Sequence, residues 1–252
     1  MLTKPLEQTY YIIDFDSTFT KVEALDVLGE ISLIGRPDRD DVLNQIKAIT
    51  DRGMSGEISF TESLELRLNL LKAHRDQLPA LIETLMGKIS DSFMRNKRFL
   101  ADNADSIYVV SNGFKEFIVP IVTSLGVLAE NVFANTFVFD ESGSIIGFDR
   151  ENPLSANGGK SQVIRDLKLD GEVYVIGDGY TDYEIRAAGL ANRFYAFTEN
   201  VMRPRVVEKA DHIAPSLDEF LYHNNLSRSQ SYPKSRIKVL LLENVHPVAV
   251  KL

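Results

Sequence analysis

Tyr10-Tyr11-Ile12-Ile13-Asp14-Phe15-Asp16-Ser17-Thr18 is the stretch from which the fold is read. Four apolar or aromatic residues in succession predict a strand buried on both faces. Two carboxylates follow at its carboxyl end, then a hydroxyl pair. Alternation along a strand sends Asp14 and Asp16 to one side and Phe15 to the other. In an open α/β sheet, ligands bind just outside that end of a strand. Two carboxylates so close repel each other unless a cation or a shared proton intervenes. The same residues also read as a strand running into an acidic capping loop, since Asp and Ser cap helices well.

Two further apolar runs end in polar signals. Ile107-Tyr108-Val109-Val110 leads into Ser111-Asn112-Gly113, and Val173-Tyr174-Val175-Ile176 into Gly177-Asp178-Gly179-Tyr180-Thr181-Asp182. Neighbouring strand ends of a parallel sheet lie close together. Asp14, Asp16, Asp178, Asp182, Ser111 and Lys160 are therefore expected to meet, although far apart in sequence. Glycines around Asp178 permit a loop tight enough to bring both of its carboxylates to one point. Lys160 follows Gly158-Gly159 at a predicted helix start. A cation gains nothing from the helix dipole there, so its target is an anion. Taken singly, Ser111 also reads as a turn former, Lys160 as a solvated lysine, and the Asp178 loop as an acidic surface turn.

Between the first two strands the periodicity is helical. Val22, Leu25 and Leu28 share a face, as do Val42, Ile46 and Ile49, and Phe60, Leu64, Leu68 and Leu71. Residues 51–57 read as a loop, and 78–86 as another helix. Residues 20–100 are thus expected to form a helical layer inserted into an α/β core. Beyond it, 115–125 predicts a helix bent at Pro120. Residues 132–139 and 145–148 predict a hairpin around Gly143. Helices follow Lys160 and Asp182, a strand covers 194–197, and a last helix covers 217–222. Alternating strands and helices predict a mostly parallel, Rossmann-like sheet with helices on both faces. The expected division is core at 1–19 and 101–223, cap at 20–100, linker at 224–236 and a tail at 237–252.

Of 252 residues, 44% are hydrophobic and 25% charged, an ordinary globular balance. A net charge of -8 argues against non-specific nucleic-acid binding, which needs a basic footprint. It leaves a phosphorylated substrate open, because a bound cation reverses the local sign. With no cysteine, disulfides, thiolate nucleophiles and cysteine zinc sites are excluded. No long apolar run and no basic-plus-apolar leader is found, so neither a membrane span nor a secretion signal is expected, and the expected location is cytoplasmic.

Asp-x-Asp-x-Thr after a hydrophobic strand, Ser-x-Gly after a second, the lysine, and Gly-Asp-Gly-x-x-Asp after a third resemble the four motifs of the haloacid dehalogenase superfamily. That resemblance implies a nucleophilic Asp14 forming an aspartyl-phosphate and a general acid/base Asp16. It implies that Ser111, with the N–H groups of Asn112 and Gly113, holds phosphoryl oxygens while Lys160 orients the nucleophile. It also implies Mg²⁺ held by Asp14, Asp178 and the main-chain carbonyl of Asp16, with Asp182 supporting its waters or Lys160. Within the superfamily, Glu23 and Met54-x-Gly56-x-x-x-Phe60-x-x-Ser63-Leu64-x-x-Arg67 resemble the phosphoserine phosphatase family. The resemblance implies that Glu23 takes the substrate ammonium, Arg67 its carboxylate, and that Met54 and Phe60 cover it. The implied partner is a small phosphorylated metabolite, O-phospho-L-serine. Asn112 and Thr181 depart from the residues usual in that family. A phosphatase for another small metabolite, or a non-catalytic regulatory domain, are the alternatives.

The serine-rich stretch at 224–236 is expected to be a linker. Ile237-Lys238-Val239-Leu240-Leu241-Leu242 then predicts a buried strand. It resembles the opening strand of D-3-phosphoglycerate dehydrogenase, which implies fusion or association with such a domain. An edge strand or a swapped arm accounts for it equally.

Overall fold

The computed structural model describes residues 8–55 and 57–226. The expected tail strand and most of the linker lie outside the described residues. Among the described residues there are eight strands and eleven α-helices. They are β1 (Thr9–Ile13), α1 (Ala24–Ser32), α2 (Arg39–Ser55), α3 (Phe60–Leu71), α4 (Leu78–Met86), α5 (Asp91–Arg95), α6 (Lys97–Asp102), β2 (Ile107–Phe114), α7 (Lys115–Thr123), β3 (Val132–Asn135), β4 (Phe137–Phe139), β5 (Ile145–Phe148), α8 (Gly159–Leu167), β6 (Glu172–Gly177), α9 (Tyr180–Ala187), β7 (Arg193–Phe197), α10 (Pro204–Val207), β8 (His212–Ala214) and α11 (Leu217–His223).

Six strands form one parallel sheet in the order β3-β2-β1-β6-β7-β8. The chain winds outward from β1 in both directions, so β1 is the topological switch point and the crevice for a ligand opens at its carboxyl end. Alternation divides the core as predicted. Tyr11 and Ile13 pack on one face with Val109, Ile176 and α7. Ile12 packs on the other with Val175, Val163 and Ile185. Both faces are covered, which explains the unbroken apolar runs.

α1 to α4 form the helical insertion. Leu64, Leu68 and Leu71 are buried along the predicted stripe of α3. The insertion's two connections run side by side: Thr20 and Ile89 form an antiparallel bridge. The Lys21 N–H donates to Lys88 O at 2.8 Å, and the Ser90 N–H to Phe19 O at 3.0 Å.

Three expectations need correction. The loop expected at 51–57 is largely helix, because α2 runs to Ser55. Gly53 does not break it but lets α3 approach: a Cβ there would lie 2.7 Å from Ser63 Oγ. The run 132–139 is two strands rather than one arm of a hairpin. β3 joins the main sheet, and only β4 pairs with β5. The chain changes sheets at Asn135-Thr136, where Asn135 Nδ2 donates to Leu154 O at 3.1 Å and Phe137 stacks on Phe114 with ring centroids 3.7 Å apart. Finally, Asp14 and Asp16 do not alternate along a strand, since β1 stops at Ile13. A wide turn over 15–19 follows, with Ser17 left-handed at φ 55° and the Thr20 N–H closing on Phe15 O at 2.9 Å.

Candidate active site

The register of the sheet assembles the site. β1 and β6 pair Ile13 with Ile176, and the Asp14 N–H extends that ladder to Ile176 O at 3.0 Å. Asp14 is thereby set beside Gly177 and the loop bearing Asp178. Gly177 has no Cβ because the Asp182 carboxylate folds back into that space from α9. Asp182 Oδ2 accepts the Gly179 N–H at 3.0 Å. Asp14, Asp178 and Asp182 each present a carboxylate oxygen within 4.8 Å of the others, and all three are buried.

Lys160 reaches this cluster from the start of α8. Its Nζ donates to Asp14 Oδ1 at 2.7 Å and to Asp182 Oδ1 at 2.8 Å. Burial works against its charge, but Asp14 and Asp182 outweigh it and hold Lys160 protonated. Gly159 allows this approach, since a Cβ there would overlap the Pro153 carbonyl.

The remaining carboxylates are costly to charge. Burial, reinforced by Asp14, pushes Asp178 up to about 8 and Asp182 up to about 7, against the pull of Arg203 and Lys160 respectively. Three buried carboxylates supply oxygen donors only, the set a hard divalent cation such as Mg²⁺ prefers, and a cation relieves their repulsion. Asp16 turns its carboxylate elsewhere: Oδ1 accepts the Ala24 N–H at 2.8 Å. Burial first and Glu23 second raise its pKa well above the ordinary value.

A cavity of about 1390 Å³ opens over these groups. Asp14, Asp16, Ser111, Asn112, Gly113, Lys160 and Asp178 line it, and so do Glu23, Phe60 and Arg67. Ser111 Oγ accepts the Gly113 N–H at 2.9 Å. The Asn112 side chain instead braces the loop before α8, donating to Leu154 O at 2.8 Å. Arg67 is buried, and its Nε donates to Ser63 O at 3.3 Å. Burial lowers its pKa, while Glu23, Asp26 and Asp16 pull the other way. Met54 lies in α2, and its side chain is outside the described residues.

Several neighbours escaped the sequence reading. Thr18 Oγ1 donates to Asp178 Oδ1 at 3.2 Å, and Arg203 Nε to Asp178 Oδ2 at 2.9 Å. Asn200 Nδ2 donates to Ser17 O at 3.0 Å and Ser90 Oγ at 2.7 Å, tying the turn after β1 to the returning chain. Arg203 and Asn200 sit in irregular chain after β7, where no periodicity marks them. Asp26, which pulls on Arg67, had only the signal of a carboxylate three residues beyond Glu23.

The model of the haloacid dehalogenase-like hydrolase family matches residues 12–185, more than half of the chain, and the chain belongs to that family. Its relatives narrow the placement to the phosphoserine phosphatase family. The chain is 31% identical to the phosphoserine phosphatase of Homo sapiens over 200 residues, covering 78% of this chain and 84% of that one. It is 32% identical to the chloroplastic phosphoserine phosphatase of Arabidopsis thaliana over 79% of this chain, and spans 65% of that relative's length. A phosphoserine phosphohydrolase-like protein from Francisella tularensis superposes with a TM-score of 0.75 at 30% identity, covering 85% of this chain and 99% of that one. Among the described residues no helix is long and apolar enough to cross a membrane.

Proposed function

We propose that this chain is a Mg²⁺-dependent phosphomonoesterase that hydrolyses O-phospho-L-serine through an aspartyl-phosphate on Asp14. One observation supports this above others. The Asp14 carboxylate, steadied by Lys160, shares a cavity with a buried guanidinium, Arg67, and a carboxylate, Glu23. Phosphoserine presents a phosphate, a carboxylate and an ammonium, and these three groups complement it.

Lys160 occupies Asp14 Oδ1, leaving Oδ2 to attack phosphorus. The phosphorus–serine oxygen bond breaks as the Asp14–phosphorus bond forms. Asp16, whose ionisation burial and Glu23 disfavour, serves as the acid that gives its proton to the departing serine oxygen. In the second step water attacks phosphorus, Asp16 takes its proton, and phosphate leaves with the Asp14 carboxylate restored. Ser111 and the main-chain N–H groups of Asn112 and Gly113, the latter on release from Ser111 Oγ, donate to the phosphoryl oxygens in both steps. Asp14, Asp178 and Asp182, with the Asp16 main chain, would hold Mg²⁺, which offsets phosphoryl charge.

The helical insertion is the cap in this proposal. The Thr20–Ile89 bridge supports a hinge there. Ser92, Arg95 and Asn96 bond to Glu199, just after β7, and Asp218 of α11, which supports ending the cap near residue 89 rather than 100. The Phe60 N–H donates to Asn157 Oδ1 at 3.1 Å, a cap-to-core contact that opening must break. The serine-biosynthetic role, and association of the tail with a phosphoglycerate dehydrogenase-type domain, belong to the same proposal.

Phosphate release from a panel of phosphomonoesters tests it. Activity should require Mg²⁺, vanish with EDTA, and fall at least about a thousandfold in Asp14→Asn. Arg67→Ala should lose phosphoserine turnover while keeping that of an ester lacking a carboxylate. Equal loss on both substrates rejects the assignment of Arg67, and an active Asp14→Asn rejects the mechanism.

A further inference from the structure

Two cations touch the acidic cluster, and they are held differently. The Lys160 side chain is 4% exposed and locked between Asp14 and Asp182. The Arg203 side chain is 30% exposed, on the cavity wall. Arg203 Nε and Nη2 both lie 2.9 Å from Asp178 Oδ2, and Nη2 lies 3.6 Å from Glu23 Oε1. Arg203 thus spans one member of the buried carboxylate cluster and the carboxylate facing the substrate ammonium. Met202, the residue before it, is 63% exposed.

Every positive charge brought to this site in turnover competes with that guanidinium. A divalent cation sharing Asp178 repels Arg203 at short range and takes its strongest partner. An ammonium on Glu23 takes the other. Arg203 lines the same cavity as Asp14 and Lys160, so a guanidinium displaced from both carboxylates remains in the space where the phosphoryl group must sit for attack. Its planar fork suits phosphate oxygens.

Resting on the phosphatase reading above, we propose that Arg203 is an exchangeable counter-charge. It balances Asp178 and Glu23, yields them to the divalent cation and the substrate ammonium, and passes to the phosphoryl oxygens. This gives Arg203 opposite effects on two ligands: it weakens cation binding and strengthens phosphate binding. A purely structural arginine would weaken both when removed.

Mn²⁺ titration of the full chain, followed by electron paramagnetic resonance of the free ion, reads the first effect. Arg203→Met should bind Mn²⁺ roughly fivefold more tightly than wild type, with Arg203→Lys closer to wild type because it keeps the charge. Equal or weaker binding by Arg203→Met overturns the proposal. Arg203→Gln serves the same comparison should the methionine variant not fold. Calorimetric titration of inorganic phosphate into the Mn²⁺-loaded proteins reads the second effect. Arg203→Met should lose about tenfold in phosphate affinity, and an unchanged affinity overturns the transfer to phosphate. A wild type that binds no Mn²⁺ is a distinct result, which rejects the metal assignment of Asp14, Asp178 and Asp182 as well.

Discussion

Removing the Lys160 ammonium leaves Asp14 and Asp182 facing each other as buried carboxylates with little solvent around them. Breaking one partner out of a buried ionic group costs about 3–5 kcal/mol, because the remaining charges have no solvent to turn to. Lys160→Met should therefore lose about 3 kcal/mol or more in urea unfolding at neutral pH in EDTA. Saturating Mg²⁺ should restore part of that loss by supplying the missing positive charge. A variant as stable as wild type in EDTA would show that the lysine is not the cluster's main counter-ion. The lysine was legible in the sequence as a cation placed where a helix dipole does not want one. Its neighbourhood was expected as well, but which carboxylate oxygens it takes, across separations of 146 and 22 residues, is set only by sheet register.

The decisive local element is the β6–α9 turn. Gly177 ends the strand, Asp178 follows it, and the first turn of α9 carries Asp182. A methyl group at residue 177 would overlap the Asp182 carboxylate, so Gly177→Ala must push that side chain off Lys160. Such overpacking costs about 1–3 kcal/mol, and phosphate release should fall with it, the loss lying in kcat rather than KM. An alanine variant with wild-type kcat would mean that Asp182 need not reach Lys160. The sequence pattern announced this turn through its paired glycines. It did not distinguish the role of Gly53, which permits close helix packing, from that of a loop-forming glycine, because both roles ask only for a missing side chain.

For the molecule as a whole, the acidic cluster sets how stability varies with pH. In the folded state Asp178 and Asp182 keep their protons up to about 8 and about 7. In the unfolded chain they release them near the ordinary value of about 4. Between those limits the folded state binds more protons, so stability falls as pH rises. The favourable contribution is complete below about pH 4 and lost as pH passes the folded values. In EDTA, the melting temperature should fall from pH 5.5 to pH 8. Mg²⁺ competes with those protons, so the stabilisation it gives should grow over the same range. A melting temperature that climbs through this window in EDTA would contradict burial as the dominant influence on these carboxyls.

The amino-acid pattern by itself determined the class of fold, the helical insertion and the polar residues that terminate β1, β2 and β6. Apolar runs, helical spacing and glycine-flanked carboxylates are local properties, written where they act. Tertiary structure alone decided that the Asp16 carboxylate turns to the Ala24 N–H, that 132–139 divides between two sheets, and that Arg203 and Thr18 share Asp178. Those outcomes follow from strand register and from irregular chain folding back across the site, and neither carries a periodicity that a linear sequence displays.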